Sequence, residues 1–151
     1  MKSRRAALKR GAIVVGLLAG SGLFPKYALA YNKGAFEAKN IADAMKALGA
    51  SAPVESTDVS ISGPDIAENG AVVPITTGTT LAGVKQLLIL VEKNPSALVA
   101  VFNVSDSVEP TFATRSKMGQ SSDVYAVAIM NDGKAFFAKK EVKVTLGGCG
   151  G

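Results

Sequence analysis

The chain has 151 residues and a mass of 15.4 kDa, room for one domain of ordinary size, and at 48% hydrophobic and 19% charged residues it is too apolar to be disordered. The formal net charge of +5 resides in residues 1–30, which hold six of the 17 basic side chains and no acid; the rest carries 11 basic against 12 acidic residues, which removes the case for nucleic-acid binding. With no histidine and one cysteine, the chain cannot build a Ser-His or Cys-His nucleophile pair, a His-containing zinc site, an internal disulfide or a CxxC redox motif.

Residues 1–30 read as a basic start, an apolar run from Gly11 to Phe24 and the small-residue site Ala28-Leu29-Ala30. This is the anatomy of a secretory signal, with cleavage expected between Ala30 and Tyr31. The run is shorter and richer in glycine than a membrane span of about 20 apolar residues requires. Ser3-Arg4-Arg5-Ala6-Ala7-Leu8-Lys9 resembles the twin-arginine export motif S-R-R-x-F-L-K, with Ala7 where the motif has Phe. Such signals serve proteins exported already folded. The mature chain is therefore expected to be a soluble periplasmic protein without a membrane anchor, and preassembly with a cytoplasmic partner would explain why it folds first.

In the mature chain, Ile41, Ala44, Met45 and Leu48 recur at helical spacing, which predicts one amphipathic helix over residues 36–48, stopped by Gly49 and kept from resuming by Pro53. From residue 54 the period becomes two. Asp58–Ser62 and Ala71–Thr76 alternate, and Pro74 marks the second run as an edge strand or a bulge. The continuous apolar runs Val84–Val91 and Ala97–Val104, parted by Asn94-Pro95, read as buried central strands; Thr111–Thr114 reads as a further short strand. Asp123–Met130, Asn131-Asp132-Gly133 and Lys134–Thr145 read as a hairpin, because glycine tolerates the positive φ of a tight turn. Six or seven short strands in about 95 residues predict a mainly β protein, an immunoglobulin-like antiparallel β-sandwich with one N-terminal helix. The expected organisation is a signal peptide at 1–30, the sandwich domain at 31–146 and an arm at 147–151.

Several residues invite a chemical reading and are better read as structure. Gly78-Thr79-Thr80 and Gly83 form neither a P-loop nor a dinucleotide fingerprint and are expected in a plain loop. Asp65 and Glu68, after Gly63-Pro64, are expected in a surface loop, not as an acid/base pair, since pKa matching needs burial. Lys139, Lys140 and Lys143 read as a solvated strand face. Met118, Met130 and the phenylalanines read as packing, and no metal ligand set is present.

The run Leu146-Gly147-Gly148-Cys149-Gly150-Gly151 is different, for it surrounds the only thiol with four glycines. Glycine loses the most backbone entropy when fixed, so the sequence predicts a mobile arm, narrow enough to enter a slot that rejects a bulkier peptide. Three readings of Cys149 stand: a covalent attachment point served by other proteins, an intersubunit tail disulfide on a structural Ig-like module, and an inert tail. No neighbouring cation lowers the thiol pKa, so under the first reading activation comes from elsewhere.

The leader, the β-rich domain and above all Gly147-Gly148-Cys149-Gly150-Gly151 together resemble the SoxY family, sulfur-carrier subunits of the periplasmic SoxYZ complex in thiosulfate oxidation. The resemblance implies a non-catalytic carrier without a cofactor, in which substrate sulfur is bound covalently to Cys149. It implies that the cytochrome SoxAX joins thiosulfate to Cys149 as a cysteine S-thiosulfonate, that the hydrolase SoxB releases sulfate, and that the dehydrogenase SoxCD, where present, oxidises the remaining sulfane sulfur. It also implies a heterodimer with a SoxZ-like subunit that is exported with its partner.

Overall fold

The computed structural model describes residues 32–146. Helix α1 (Lys33–Glu37) and helix α2 (Ile41–Ala47) precede nine strands: β1 (Val54–Glu55), β2 (Val59–Ser62), β3 (Ile66–Ala67), β4 (Val73–Thr79), β5 (Val84–Val91), β6 (Leu98–Asn103), β7 (Thr111–Ser116), β8 (Ser122–Met130) and β9 (Ala135–Val144). The larger sheet has the order β1-β9-β8-β5-β6, with β3 also paired to β9; the smaller has the order β2-β4-β7. The fold is the predicted mainly β, immunoglobulin-like sandwich.

The alternation along each strand decides the layering. On β5, Leu87, Ile89 and Val91 face the smaller sheet with Ala126 and Val124 of β8 and Val142 of β9; Val59, Val73 and Ile75 meet them from the other side. The opposite face of the larger sheet presents Leu88, Leu90, Val127, Ile129 and Ala135, which pack under Ala35, Ala38, Ala44 and Met45 of the helical segment. Helices, large sheet and small sheet are thus three layers. From Leu87 to Val91 β5 is buried on both faces, and there its sequence is a continuous apolar run, whereas Lys85 and Gln86 before it are exposed and half-buried.

The predicted helix 36–48 is two helices. Ala38 and Asn40 have extended backbones, and the Asn40 side chain accepts a hydrogen bond from Asp43 N–H as an N-cap of α2. The break lets the Ala38 carbonyl accept a hydrogen bond from Ala97 N–H beside β6. The apolar stripe itself is as expected: Ala44 and Met45 are buried and Ile41 and Leu48 pack against the same cluster. Gly49 stops the segment with φ +70°.

Three further expectations change. The run around Pro74 is the middle strand of the smaller sheet, not an edge; β2 covers β4 only from Thr76 to Thr79, so Pro74 sits where one side of the strand is open and the missing N–H is tolerated. Conversely β6 is an edge strand of the larger sheet, with most of its residues half-buried, although its sequence is as apolar as β5. Gly78 and Thr79 lie in β4 and not in a loop. A Cβ at Gly78 would stand 3.0 Å from Ser60 Oγ and 3.2 Å from Thr111 Oγ1, so glycine allows the neighbouring strands to close on it. The hairpin forms as predicted, with Gly133 at φ +86°, while the two-residue strands β1 and β3, both parallel to β9, have no counterpart in the prediction.

Candidate functional site

Cys149 and Gly147, Gly148, Gly150 and Gly151 lie outside the described residues, as do Ser3, Arg4, Arg5, Lys9, Ala28 and Ala30. What the structure describes is the point from which the arm departs. There β9 is gripped along both sides. Towards β8, Val142 pairs with Ser122, and Val144 N–H donates to Ser121 Oγ at 2.8 Å.

On the other side, the segment from Asp65 to Gly70 runs along β9 as a strap. Lys143 N–H donates to the Asp65 carbonyl at 2.9 Å, Ile66 and Ala67 stand in parallel register with Lys143 and Val144, and Thr145 N–H donates to the Ala67 carbonyl at 3.1 Å. Thr145 Oγ1 donates to the Glu68 carbonyl at 3.2 Å. Gly70 closes the strap: its N–H donates to the Leu146 carbonyl at 2.7 Å and its own carbonyl accepts from Met118 N–H at 2.7 Å. Asn69 shapes this corner by accepting Ala71 N–H on its side-chain oxygen. Leu146, directly before the glycines, is therefore held by the body of the domain.

Lys140 ties the strap down a second time. The lysines of β9 do not form one solvated face: Lys139 and Lys143 share a face with Ala135 and Phe137, whereas Lys140 stands between Ala138 and Val142 on the face towards the smaller sheet. From there its ammonium pairs with the exposed Asp65 carboxylate and donates a hydrogen bond to it. That bond, with the lysine charge, holds the Asp65 carboxyl below its ordinary pKa of 3.8. Lys139 pairs across strands with Asp123 at 2.9 Å, which raises the lysine pKa. Partial burial, and the acids Glu92 and Asp123, push the neighbouring Tyr125 phenol upward.

Asp65 and Glu68 are thus exposed, as expected, but they belong to a structural strap and do not meet as a catalytic pair. No group of three or more His, Cys, Asp or Glu able to hold a metal occurs among the described residues. A cleft of about 330 Å³ between the β5–β6 and β7–β8 connections is lined by Lys93, Asn94, Pro95, Ser96, Lys117, Gly119 and Gln120. Side-chain to backbone bonds of Asn94 and Gln120 stitch its two walls together. Sequence reading missed the strap because a two-residue strand has no period to detect; the only signal was Gly63-Pro64 ahead of it.

The family model described as sulfur oxidation protein SoxY matches residues 44–149, a range that ends on the cysteine. Among solved structures, the sulfur carrier protein SoxY from Chlorobium limicola f thiosulfatophilum is 38% identical, with a TM-score of 0.62, over 70% of this chain and 96% of that one. A superoxide reductase (neelaredoxin) from Ignicoccus hospitalis, in a single-substitution variant, is similar in fold at 17% identity and a TM-score of 0.51, over 66% of this chain and 86% of that one. No curated protein matches the sequence. With the family match spanning more than half of the sequence, and a SoxY structure nearly the whole of which is covered, this chain belongs to the SoxY family of sulfur oxidation proteins.

Proposed function

We propose that this protein is a sulfur carrier of thiosulfate oxidation that holds its substrate covalently on Cys149 and presents it to other enzymes. The observation that carries the reading is the SoxY family match running through the single cysteine of the chain, inside Gly147-Gly148-Cys149-Gly150-Gly151. The chemistry needs only a thiol on the carrier. Thiolate and thiosulfate join through a new S–S bond with loss of two electrons to a c-type cytochrome of SoxAX type. Water then cleaves the bond between the outer sulfur and the sulfonate in a SoxB-type hydrolase, releasing sulfate and leaving a persulfide. Where a SoxCD-type dehydrogenase is present, it removes six electrons from that sulfur as three waters supply oxygen, and a second hydrolysis restores Cys149.

The carrier takes no catalytic part and needs no cofactor. It pairs with a SoxZ-like subunit and works in the periplasm after folded export directed by Ser3, Arg4, Arg5 and Lys9, with cleavage after Ala28-Leu29-Ala30. The strap supports this division of labour, because it holds the Leu146 carbonyl to Gly70 N–H immediately before the glycines.

Cys149→Ser tests the proposal in a reconstituted system of carrier heterodimer, cytochrome and hydrolase. Thiosulfate-dependent electron transfer should fall to background, because a hydroxyl cannot form the S–S bond. Thermal stability should stay within about 0.5 kcal/mol of the parent, as surface changes usually do. Turnover by the serine variant would refute the carrier assignment.

A further inference from the structure

Five large apolar side chains are exposed among the described residues, and three of them lie in the strap or beside it: Ile66 at 59%, Val72 at 52% and Leu146 at 67% exposure. The strap places them together. Ile66 is in register with Lys143 on β9, Gly70 bonds to Leu146, and Val72 follows Gly70 by two residues, its N–H donating to the Asn69 carbonyl. Sequence patterning alone scatters these residues over 80 positions.

The domain core does not explain them. Their neighbours Ala67 and Val73 already fill the layer between the sheets, whereas these three point to solvent from an anchored corner. Apolar side chains grouped at one place on a surface mark a site of association.

The length of the arm says what associates there. From Leu146 to Cys149 is three residues, a reach of at most about 11 Å at 3.3–3.6 Å per residue. An enzyme that brings Cys149 to the floor of its active site must therefore rest its rim on the carrier within that distance of Leu146. Leu146 itself is held to Gly70 and cannot lengthen the arm without breaking the strap. A slot of any depth therefore meets the carrier at the strap, where Leu146 is held to Gly70 and where Ile66 and Val72 are the exposed apolar residues on either side of that bond in sequence.

We propose that Ile66, Val72 and Leu146 form an apolar collar that seats against the rim of the active-site slot of the enzymes acting on Cys149-bound sulfur. The proposal rests on the carrier reading and adds to it the surface by which those enzymes grip the carrier body. An apolar collar suits a carrier whose cargo changes charge at each step, because its contribution to binding does not depend on what the sulfur bears. The enzymes that fit it have an apolar lip around a slot deep enough to take three residues of chain.

The experiment uses the heterodimer loaded with thiosulfate on Cys149 and a SoxB-type hydrolase, with sulfate release as the readout. The triple variant Ile66→Ser, Val72→Ser, Leu146→Ser should raise the KM for carrier at least tenfold and leave kcat within about twofold. The heterodimer should survive gel filtration, and the unloaded thiol should react with a small aromatic disulfide at the parent rate. An unchanged KM overturns the collar. Dissociation of the heterodimer also overturns it, by assigning the surface to the partner subunit. So does a parent that self-associates where the variant does not, which would assign the surface to a second copy. Should the triple variant fail to fold, Val72→Ser with Leu146→Ser, both outside the strands, is read in the same way with a threefold rise expected. Failure of the collar and of the carrier reading stay distinct: Cys149→Ser being inactive while the collar variants are normal removes only the collar, and an active Cys149→Ser removes the carrier.

Discussion

Two threonines of β4 stand one alternate position apart and differ in the one respect that matters for a buried hydroxyl. Thr79 Oγ1 donates to the Asp58 carbonyl at 2.8 Å and accepts from Leu81 N–H at 3.1 Å, closing the turn after the strand. Thr77 is fully buried, and its Oγ1 has no hydrogen-bond partner among the described residues. A buried polar group left unpaired costs more than an isosteric methyl in the same place. Thr77→Val should therefore stabilise the domain by about 1 kcal/mol and raise Tm by about 4 °C, whereas Thr79→Val should destabilise it by a similar amount. Differential scanning calorimetry of both variants checks this; a Thr77→Val protein that melts lower than the parent would mean that the hydroxyl has a partner in solution.

At the scale of elements, β3 is only two residues long and cannot hold itself against β9 by pairing alone. Its attachment is shared among backbone bonds at Asp65, Ala67 and Gly70 and the Asp65–Lys140 ion pair. The folded-state pKa of Asp65 is lowered, so the unfolded chain takes up the proton more readily than the folded one as pH falls. The contribution of the pair is hence complete above the unfolded value near 3.8 and disappears as pH falls through the lower folded value. A carboxyl NMR titration should find Asp65 below 3.8 in the parent and back near it in Lys140→Met. Any Tm difference between the two proteins should be constant from about pH 5 to 8 and shrink in acid. An Asp65 that titrates alike in both would show that the pair does not form. The helical segment teaches a related lesson: the spacing of Ile41, Ala44, Met45 and Leu48 was legible, but the break before Asn40 follows from docking Ala38 against Ala97, a contact 59 residues away.

Across the whole molecule, the connections that matter are long. β9 pairs with β1 and β3 from the start of the sandwich as well as with its hairpin partner β8, so the larger sheet is incomplete until residues 135–144 are made. Non-local pairing of this kind forms late and only once the chain is available. Under the proposed folded export, this closure would be complete before the chain left the cytoplasm. Accordingly, replacing both Arg4 and Arg5 by Lys should leave the precursor in the cytoplasm, as judged by fractionation and by retention of residues 1–30. Normal export of that variant would remove the link between folded export and assembly.

The amino-acid sequence by itself determined the β class, the β8–β9 hairpin, the run of β5 and the singular position of Cys149 among glycines. Each of these is written in local chemistry: a period of two, a glycine at positive φ, a stretch apolar on both faces, or a residue type that occurs once. What only the tertiary structure decided is which strand neighbours which. An apolar run reports that side chains are buried and not by what, so β6 reads like β5 although it lies at an edge, and Pro74 reads as an edge although β4 lies in the middle. The strap and its exposed collar were beyond reach for the same reason. Ile66, Val72 and Leu146 are ordinary residues in three separate stretches of sequence, and they acquire a common place only because backbone hydrogen bonds from residues 65–70 close over the end of β9.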